Sequence, residues 1–231
     1  MSKFIFMLTH HDRTIPDARA VYNEVQDLGL EYVGFKDIGA TEDELAKLTG
    51  SIHRGGQFVA LEIVSLSEAA EIESAKLGIR LGVDYLLGGR HVGSVSRVLT
   101  NTSIKYFPFC GETRGHPTKL VGTVDQIVDD ARHLGENPQV SGLDLLAYRH
   151  NGDGEFLIDK VCSAVKKPVI VAGGIDSFDR LAAVRHSGAW AFTVGSAIFE
   201  GRFGSDSVRD QIKGILADEP AKSVGRLCSI K

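Results

Sequence analysis

A single-domain (β/α)₈ barrel is the fold class this sequence predicts, and three observations carry it. Short apolar runs begin near Phe4, Tyr32, Phe58, Val83, Ile104, Val140, Pro168 and Trp190, about 27 residues apart on average, which suits one strand–helix unit per step. The runs are near-continuous rather than alternating, as in Val169-Ile-Val-Ala172 and Tyr85-Leu-Leu87, the habit of parallel strands covered on both faces. Amphipathic segments separate them. No linker, charge run or low-complexity stretch divides the chain, so 1–231 reads as one domain, with a surface tail from about Asp218 to Lys231. An open doubly wound sheet is the alternative; eight units in this length favour the closed barrel.

The helical segments follow from apolar spacing. Val21, Val25 and Leu28 recur at i, i+4 and i+7, as do Val124, Ile127, Val128, Ala131 and Leu134. Leu157, Val161 and Val165 form a third stripe, and Val208, Ile212, Ile215 and Leu216 a fourth. Each stripe is one buried helix face.

Composition narrows the partners. With 26 Lys+Arg against 30 Asp+Glu and a formal net charge of −4, there is no basic excess to displace counterions from nucleic acid. A hydrophobic content of 43% with 24% charged residues excludes disorder as the dominant state. The three cysteines, at 110, 162 and 228, have neither zinc-ligand spacing nor the pairing of a disulfide framework. The opening apolar run, Phe4 to Leu8, is too short for a signal peptide, and no stretch approaches the ~18 apolar residues of a membrane span. The expectation is a cytoplasmic protein with reduced thiols and no membrane partner; self-association into a homo-oligomer is left open.

The 26 glycines carry most of the functional argument. Between Lys167 and Arg202 the chain reads Lys-Pro-Val-Ile-Val-Ala-Gly173-Gly174-Ile-Asp176-Ser177 and then Val194-Gly195-Ser196-Ala-Ile-Phe-Glu-Gly201. Each half is a buried strand that stops at glycine and turns into a helix. Glycine lets consecutive N–H groups converge on an anion, and the start of a helix favours phosphate. These are strands 7 and 8 of the alternation, where barrels frequently build a phosphate site. The plain alternative is that the glycines only make tight turns.

The stretch from about Gly152 to Arg202, roughly a quarter of the chain, resembles the C-terminal half of the ribulose-phosphate-binding TIM barrels. Its wording is similar to the isomerase and cyclase of histidine biosynthesis, with their strand-7 Gly-Gly turn and strand-8 Val-Gly-(small)-Ala-(apolar) run. Geranylgeranylglyceryl-phosphate synthases and N-acylmannosamine-phosphate epimerases share it. The resemblance implies that backbone groups at Gly173, Gly174, Gly195 and Ser196 hold a substrate phosphate. The N-terminal half departs from the histidine-pathway pattern of catalytic aspartates after strands 1 and 5. Strand 1 here ends Leu8-Thr-His-His-Asp12, and strand 5 ends Phe107-Pro-Phe-Cys110-Gly. Asp12 is a displaced counterpart at best and Cys110 cannot act as a carboxylate.

The remaining candidates lie at strand ends, which in a barrel share one mouth. Strand 1 offers His10, His11 and Asp12, strand 2 Lys36 and Asp37, and strand 3 Glu62. Strand 4 offers Arg90 and His91 as substrate contacts, strand 5 Glu112 and Arg114, and strand 6 Arg149 and His150. A lysine in such a place forms a Schiff base or donates a proton once burial lowers its pKa. Glu62 is placed to take a proton next to a carbonyl or to tune Lys36; a structural Lys36–Glu62 ion pair is the alternative. Arg149 suits an oxyanion or carboxylate. His10 and His11 are poor chelators together, because neighbours on an extended chain point to opposite faces, so no metal is expected; one of them facing the pocket would serve as acid or base. The polar loop Gly111 to Lys119 is either a lid or a connector, Cys110 a small buried residue, and Trp190 a packing residue between barrel and helices. No GxGxxG follows strand 1, so no nicotinamide or flavin cofactor is indicated.

The expected function is an isomerase, epimerase or carbon–carbon lyase of carbohydrate metabolism acting on a small phosphorylated metabolite. Lys36, Glu62, Arg149, His10 and Asp12 would do the chemistry, and no cofactor would be needed. A prenyl- or glyceryl-phosphate transferase and a non-catalytic phosphate-ligand sensor are the alternatives.

Overall fold

The computed structural model describes residues 2–218, so the expected tail, Asp218 apart, and Cys228 lie outside the described residues. Eight parallel strands form the wall: β1 (Lys3–Met7), β2 (Tyr32–Lys36), β3 (Phe58–Ile63), β4 (Tyr85–Gly88), β5 (Lys105–Phe107), β6 (Leu143–Leu145), β7 (Val169–Val171) and β8 (Ala191–Val194). Neighbours in sequence pair from β1 to β5 and from β6 to β8, and β8 returns to β1 through Lys3↔Ala191 to Phe6↔Val194. The seam between β5 and β6 closes through a bridge of Phe109 with Asp144. There the Cys110 N–H donates to the Asp144 carbonyl at 3.0 Å and the Asp144 N–H to Pro108 O at 2.9 Å. The barrel is therefore closed. Strand positions agree with the apolar runs to within three residues, the largest offset being β6, which starts at Leu143 rather than Val140.

Alternation along each strand divides the core in two. Ile5, Met7, Tyr32, Ala60, Tyr85, Leu87, Phe107, Ile170 and Ala191 point into the barrel, while their neighbours, Phe6, Val33, Leu61 and Leu86 among them, pack under the helices. Two glycines make room inside. A Cβ on Gly34 would collide with the Met7 thioether, and one on Gly142 with the Phe107 ring. Trp190 belongs to this inner set. Its ring lies 5.7 Å from Tyr32, 5.9 Å from Tyr85 and 5.6 Å from Phe107, so it plugs the N-terminal mouth of the barrel and does not pack between barrel and helices. It stands one residue before Ala191, the partner of Lys3, just outside β8, so the strand's alternation does not fix its direction.

The outer layer is α1 (Ala18–Val25), α2 (Glu42–Arg54), α3 (Glu68–Leu81), α4 (Val92–Val98), α5 (Val124–Glu136), α6 (Gly154–Ala164) and α7 (Phe178–His186), then the four-residue α8 (Ser196–Phe199) and α9 (Val208–Ala217). Their starts obey capping chemistry. Thr41 and Thr123 form reciprocal boxes with Glu44 and Gln126, and Ser67, Asp153, Ser177 and Ser207 accept from first-turn N–H groups, each cap contributing ~1 kcal/mol. The first helix differs from its spacing: it buries Ala18, Tyr22 and Val25 and ends before Leu28. No helix among the described residues is long and apolar enough to cross a membrane.

Parity also sets the site. Continuing inward positions toward the C-terminal mouth, Tyr32–Gly34 leads to Lys36, Phe58–Ala60 to Glu62, Gly142 to Asp144 and Ala191 to Thr193. All four are nearly or fully buried, a polar layer on top of an apolar floor.

Candidate active site

Asp12 sits at the centre of the polar layer. It lies in the turn of a small hairpin, Thr9–His10 with Arg13–Thr14, that follows β1. Its Oδ1 accepts from Lys36 Nζ at 3.0 Å and Arg149 Nη2 at 2.7 Å, and its Oδ2 from Arg149 Nη1 at 2.6 Å and the Thr118 N–H at 3.0 Å. Burial alone would raise the carboxyl pKa, but Arg149 and Lys36 outweigh it and hold Asp12 well below the usual carboxylate range.

Lys36 is buried on β2 opposite its register partner Glu62 on β3, with Nζ 2.9 Å from Glu62 Oε1. Burial pulls its pKa down, yet the Glu62 and Asp12 carboxylates more than offset this and the result is a raised value. The expected lowering does not occur: the barrel that buries Lys36 also supplies two carboxylates, and the amine is held as an ammonium. Glu62 uses one oxygen on Lys36, and among the described residues its Oε2 takes no hydrogen bond.

Asp144 was not among the sequence candidates. It is fully buried on β6, and neither carboxylate oxygen has a hydrogen-bond partner. Burial first, and then the Glu62 charge, push its pKa well above the ordinary value against the pull of Lys36 and Arg149. A protonated Asp144 leaves two cations, Lys36 and Arg149, balanced by two anions, Asp12 and Glu62. A third buried charge would go uncompensated at high cost. The signal in the sequence was a lone acid inside the apolar run Leu143-Asp-Leu-Leu146.

Arg149 comes from a short 3₁₀ turn, Ala147–Arg149, after β6 and also donates to Thr118 O at 3.1 Å. Thr118 belongs to the loop after β5, which forms a hairpin of Glu112–Arg114 with Lys119–Val121. The loop is thus tied into the mouth through Thr118, while Glu112 and Arg114 pair with each other in solvent.

The glycine turns and this network line one cavity of about 170 Å³. Asp12, Lys36, Glu62 and Arg149 contribute to its wall together with Gly173, Gly174, Gly195 and Ser196, and Thr9, Thr193 and Glu200 complete it. Gly173 (φ +68) and Gly174 (φ +76) take left-handed backbone, and a Cβ would collide with the Arg149 guanidinium at the first and come within 2.8 Å of Tyr148 Cβ at the second. Close packing therefore accounts for these glycines in part. The N–H groups of Ser196 and Ala197 open the first turn of α8, where no intrahelical acceptor exists.

The His10–His11 reading needs correction. Both His11 (φ +49) and Asp12 (φ +57) are left-handed, a mirror-image tight turn usually given to Asn-Gly and costing about 1–2 kcal/mol per residue otherwise. The chain there is not extended, so the rings do not point apart: their centroids are 3.7 Å apart. His10 Nε2 faces Glu200 Oε1 at 3.5 Å, and the His11 N–H donates to Ser196 Oγ at 3.2 Å, docking the hairpin on the β8 turn.

Other candidates lie away from the cavity. The Arg90 and His91 N–H groups donate to Glu71 Oε2, the His91 ring meets Glu71 Oε1 at 3.0 Å, and the Arg90 guanidinium approaches Asp130 at 3.5 Å; they brace β4 against α3 and α5 and do not line the site. Asp37 accepts from Ser74 Oγ and the Val64 N–H on the outer face. His150 meets Gly122 O. Cys110 is fully buried, and burial raises its thiol pKa far from reactive values, as expected of a packing residue.

No protein family and no curated protein matches this chain in sequence. Solved structures do match in fold. The chain is similar to thiamine phosphate pyrophosphorylase from Pyrococcus furiosus, with a TM-score of 0.63 at 14% identity over 94% of both chains. It is similar to orotidine 5'-phosphate decarboxylase from Pyrococcus horikoshii, with a TM-score of 0.67 at 14% identity over 93% of this chain and 98% of that one. FabK from Thermotoga maritima matches with a TM-score of 0.58 at 20% identity, over 84% of this chain and 58% of its own. At these identities the likeness establishes the fold: this chain is a (β/α)₈ TIM barrel.

Proposed function

We propose that the protein is an enzyme that transfers a proton next to the carbonyl of a small phosphorylated substrate, a sugar phosphate or keto-phosphate, as an isomerase or epimerase. The observation that carries this reading is the single cavity shared by the Lys36–Glu62 pair and the two glycine turns. The substrate phosphate rests against Gly173–Gly174 and Gly195–Ser196, where backbone N–H groups and the first turn of α8 favour an anion. That anchoring aligns the reacting carbon with Glu62.

Glu62 takes the proton from carbon, with Lys36 fixing one of its oxygens. The Lys36 ammonium, itself buried, and the Arg149 guanidinium stabilise the negative charge that develops on the carbonyl oxygen. Asp12 holds both cations in place through three hydrogen bonds, and the Thr118 N–H fixes its Oδ2 in turn. His10 lies at the rim beside Glu200. Carbon–carbon cleavage through a Lys36 Schiff base needs an unprotonated amine, and the two carboxylates around Nζ oppose it. Two of the structural neighbours carry a phosphorylated compound in their names, in keeping with this reading.

The test is solvent-deuterium exchange followed by NMR, with ketose and aldose phosphates as substrates. Exchange is expected at one carbon next to the carbonyl, competed by inorganic phosphate, and about 10²–10⁴-fold slower in Glu62→Gln. A protein that binds phosphate esters and exchanges none of them would be a sensor, and the catalytic reading would fail.

A further inference from the structure

We propose that His10, His11 and Glu200 form a divalent transition-metal site on the rim of the cavity, open on its cavity side to an oxygen ligand. The site stands on these three side chains and does not depend on the phosphate reading.

The ligand atoms already converge. One ring nitrogen of each histidine and one carboxylate oxygen of Glu200 lie within 4.8 Å of one another. Tetrahedral zinc with ordinary Zn–N and Zn–O bonds separates its ligand atoms by ~3.4 Å. The His10 Nε2–Glu200 Oε1 distance, 3.5 Å, is at that value, and His11 is an exposed side chain with a ring nitrogen within 4.8 Å of both.

Four further features point to the same place. His10 Nε2 is shielded from solvent and makes no hydrogen bond, although it aims at a carboxylate. A ring nitrogen in that position lacks a partner that a cation would supply. The left-handed pair His11–Asp12 places two adjacent imidazoles on one side of the turn, which an extended chain forbids; strained backbone of this kind persists where the surroundings fix it and clusters at functional sites. The His11 N–H bond to Ser196 Oγ holds the hairpin against α8, whose end carries Glu200. On the far side, Glu200 Oε2 lies 3.5 Å from Arg202 Nε, which leaves Oε1 turned toward the histidines.

Two imidazoles and one carboxylate, with free positions remaining, suit zinc, cobalt, manganese or iron in the divalent state rather than calcium or magnesium. Three protein ligands are the number that catalytic zinc sites use, the fourth position going to water or substrate. Because Glu200 also lines the cavity, an oxygen of a bound molecule can occupy that position.

The experiment uses the full, tag-free chain after chelator treatment, titrated with zinc chloride by calorimetry and with cobalt(II) by visible absorption. One equivalent is expected to bind, with cobalt d–d bands of a four- or five-coordinate ion. Glu200→Gln, His10→Ala and His11→Ala should each weaken zinc at least ~10-fold, since even loss of a supporting partner costs that much. His133→Ala, on the outer helix α5, should bind as the wild type does. Absence of saturable binding would overturn the proposal, as would full affinity in the Glu200→Gln and His11→Ala chains, both of which alter exposed side chains and leave the core intact.

Discussion

Arg149 closes on Asp12 through two parallel hydrogen bonds, Nη1 to Oδ2 at 2.6 Å and Nη2 to Oδ1 at 2.7 Å, joining the turn after β1 to the turn after β6 across the barrel mouth. The pair is a strut as well as a charge arrangement. Arg149→Met removes one cation and leaves Asp12 with Lys36 and Thr118 alone. Breaking a buried pair costs about 3–5 kcal/mol, and with 23% of the Arg149 side chain exposed the lower end applies, about 3 kcal/mol. Asp12→Ala strands both cations over Glu62 and should cost more. Urea unfolding with an unchanged slope checks the order of the two; equal stability of Arg149→Met and wild type would mean that the strut carries no load.

Asp12 and Asp144 give opposite pH signatures. The native Asp12 carboxyl lies well below its unfolded value of ~3.9, so its stabilisation is present above pH ~4 and lost as pH falls below it. Asp144 is raised in the native state. Above pH ~4 the unfolded chain releases a proton that the folded chain keeps, so stability declines as pH rises toward the native pKa of Asp144. Asp144→Asn removes that slope while keeping the shape. Its stability relative to wild type should be lowest near pH 4, grow with pH, and level off once Asp144 ionises in the native protein. Parallel pH curves for the two proteins would show Asp144 already ionised when folded.

Gly173 and Gly188 separate backbone strain from packing. Both are left-handed, at φ +68 and +83, but a Cβ at Gly188 meets nothing within 4 Å, whereas at Gly173 it strikes the Arg149 guanidinium. Gly188→Ala should lose ~1–2 kcal/mol from strain alone. Gly173→Ala should lose more, displace Arg149 from Asp12, and weaken phosphate binding measured by calorimetry. A Gly173→Ala protein no less stable than Gly188→Ala would contradict the packing argument.

How far the sequence discloses this site depends on what each residue's role leaves visible. Lys36, Glu62 and Arg149 stand at the ends of apolar runs, where periodicity alone brings them to one mouth. Asp144 hides inside such a run, and its importance comes from being unpaired, a property of three-dimensional neighbours. The rise of the Lys36 pKa is less visible, because it takes Glu62 and also Asp12, from a turn 24 residues away, to offset burial. The approach of His10 to His11 depends on two positive φ angles at residues, His and Asp, that carry no glycine signature. Arg90 and His91 look like rim groups by position, but Glu71 and Asp130 from neighbouring helices claim them.

Trp190 closes the end of the barrel opposite the site, stacked on Tyr85 and Phe107 and edge-on to Tyr32. Truncating a large aromatic in a packed floor costs about 3–5 kcal/mol, and because Trp190 is only partly buried, Trp190→Ala should lie near 3 kcal/mol. The apolar layer of Ile5, Met7, Ala60, Leu87 and Ile170 separates it from the polar layer, so the loss should fall on stability while the rim keeps its geometry. Since Trp190 is the chain's single tryptophan, wild-type unfolding can be followed by its fluorescence and the variant by circular dichroism. The expected result is a lower urea midpoint with zinc and phosphate affinities within twofold of wild type under native conditions. A large drop in either affinity would mean that floor and rim are mechanically coupled through the barrel interior.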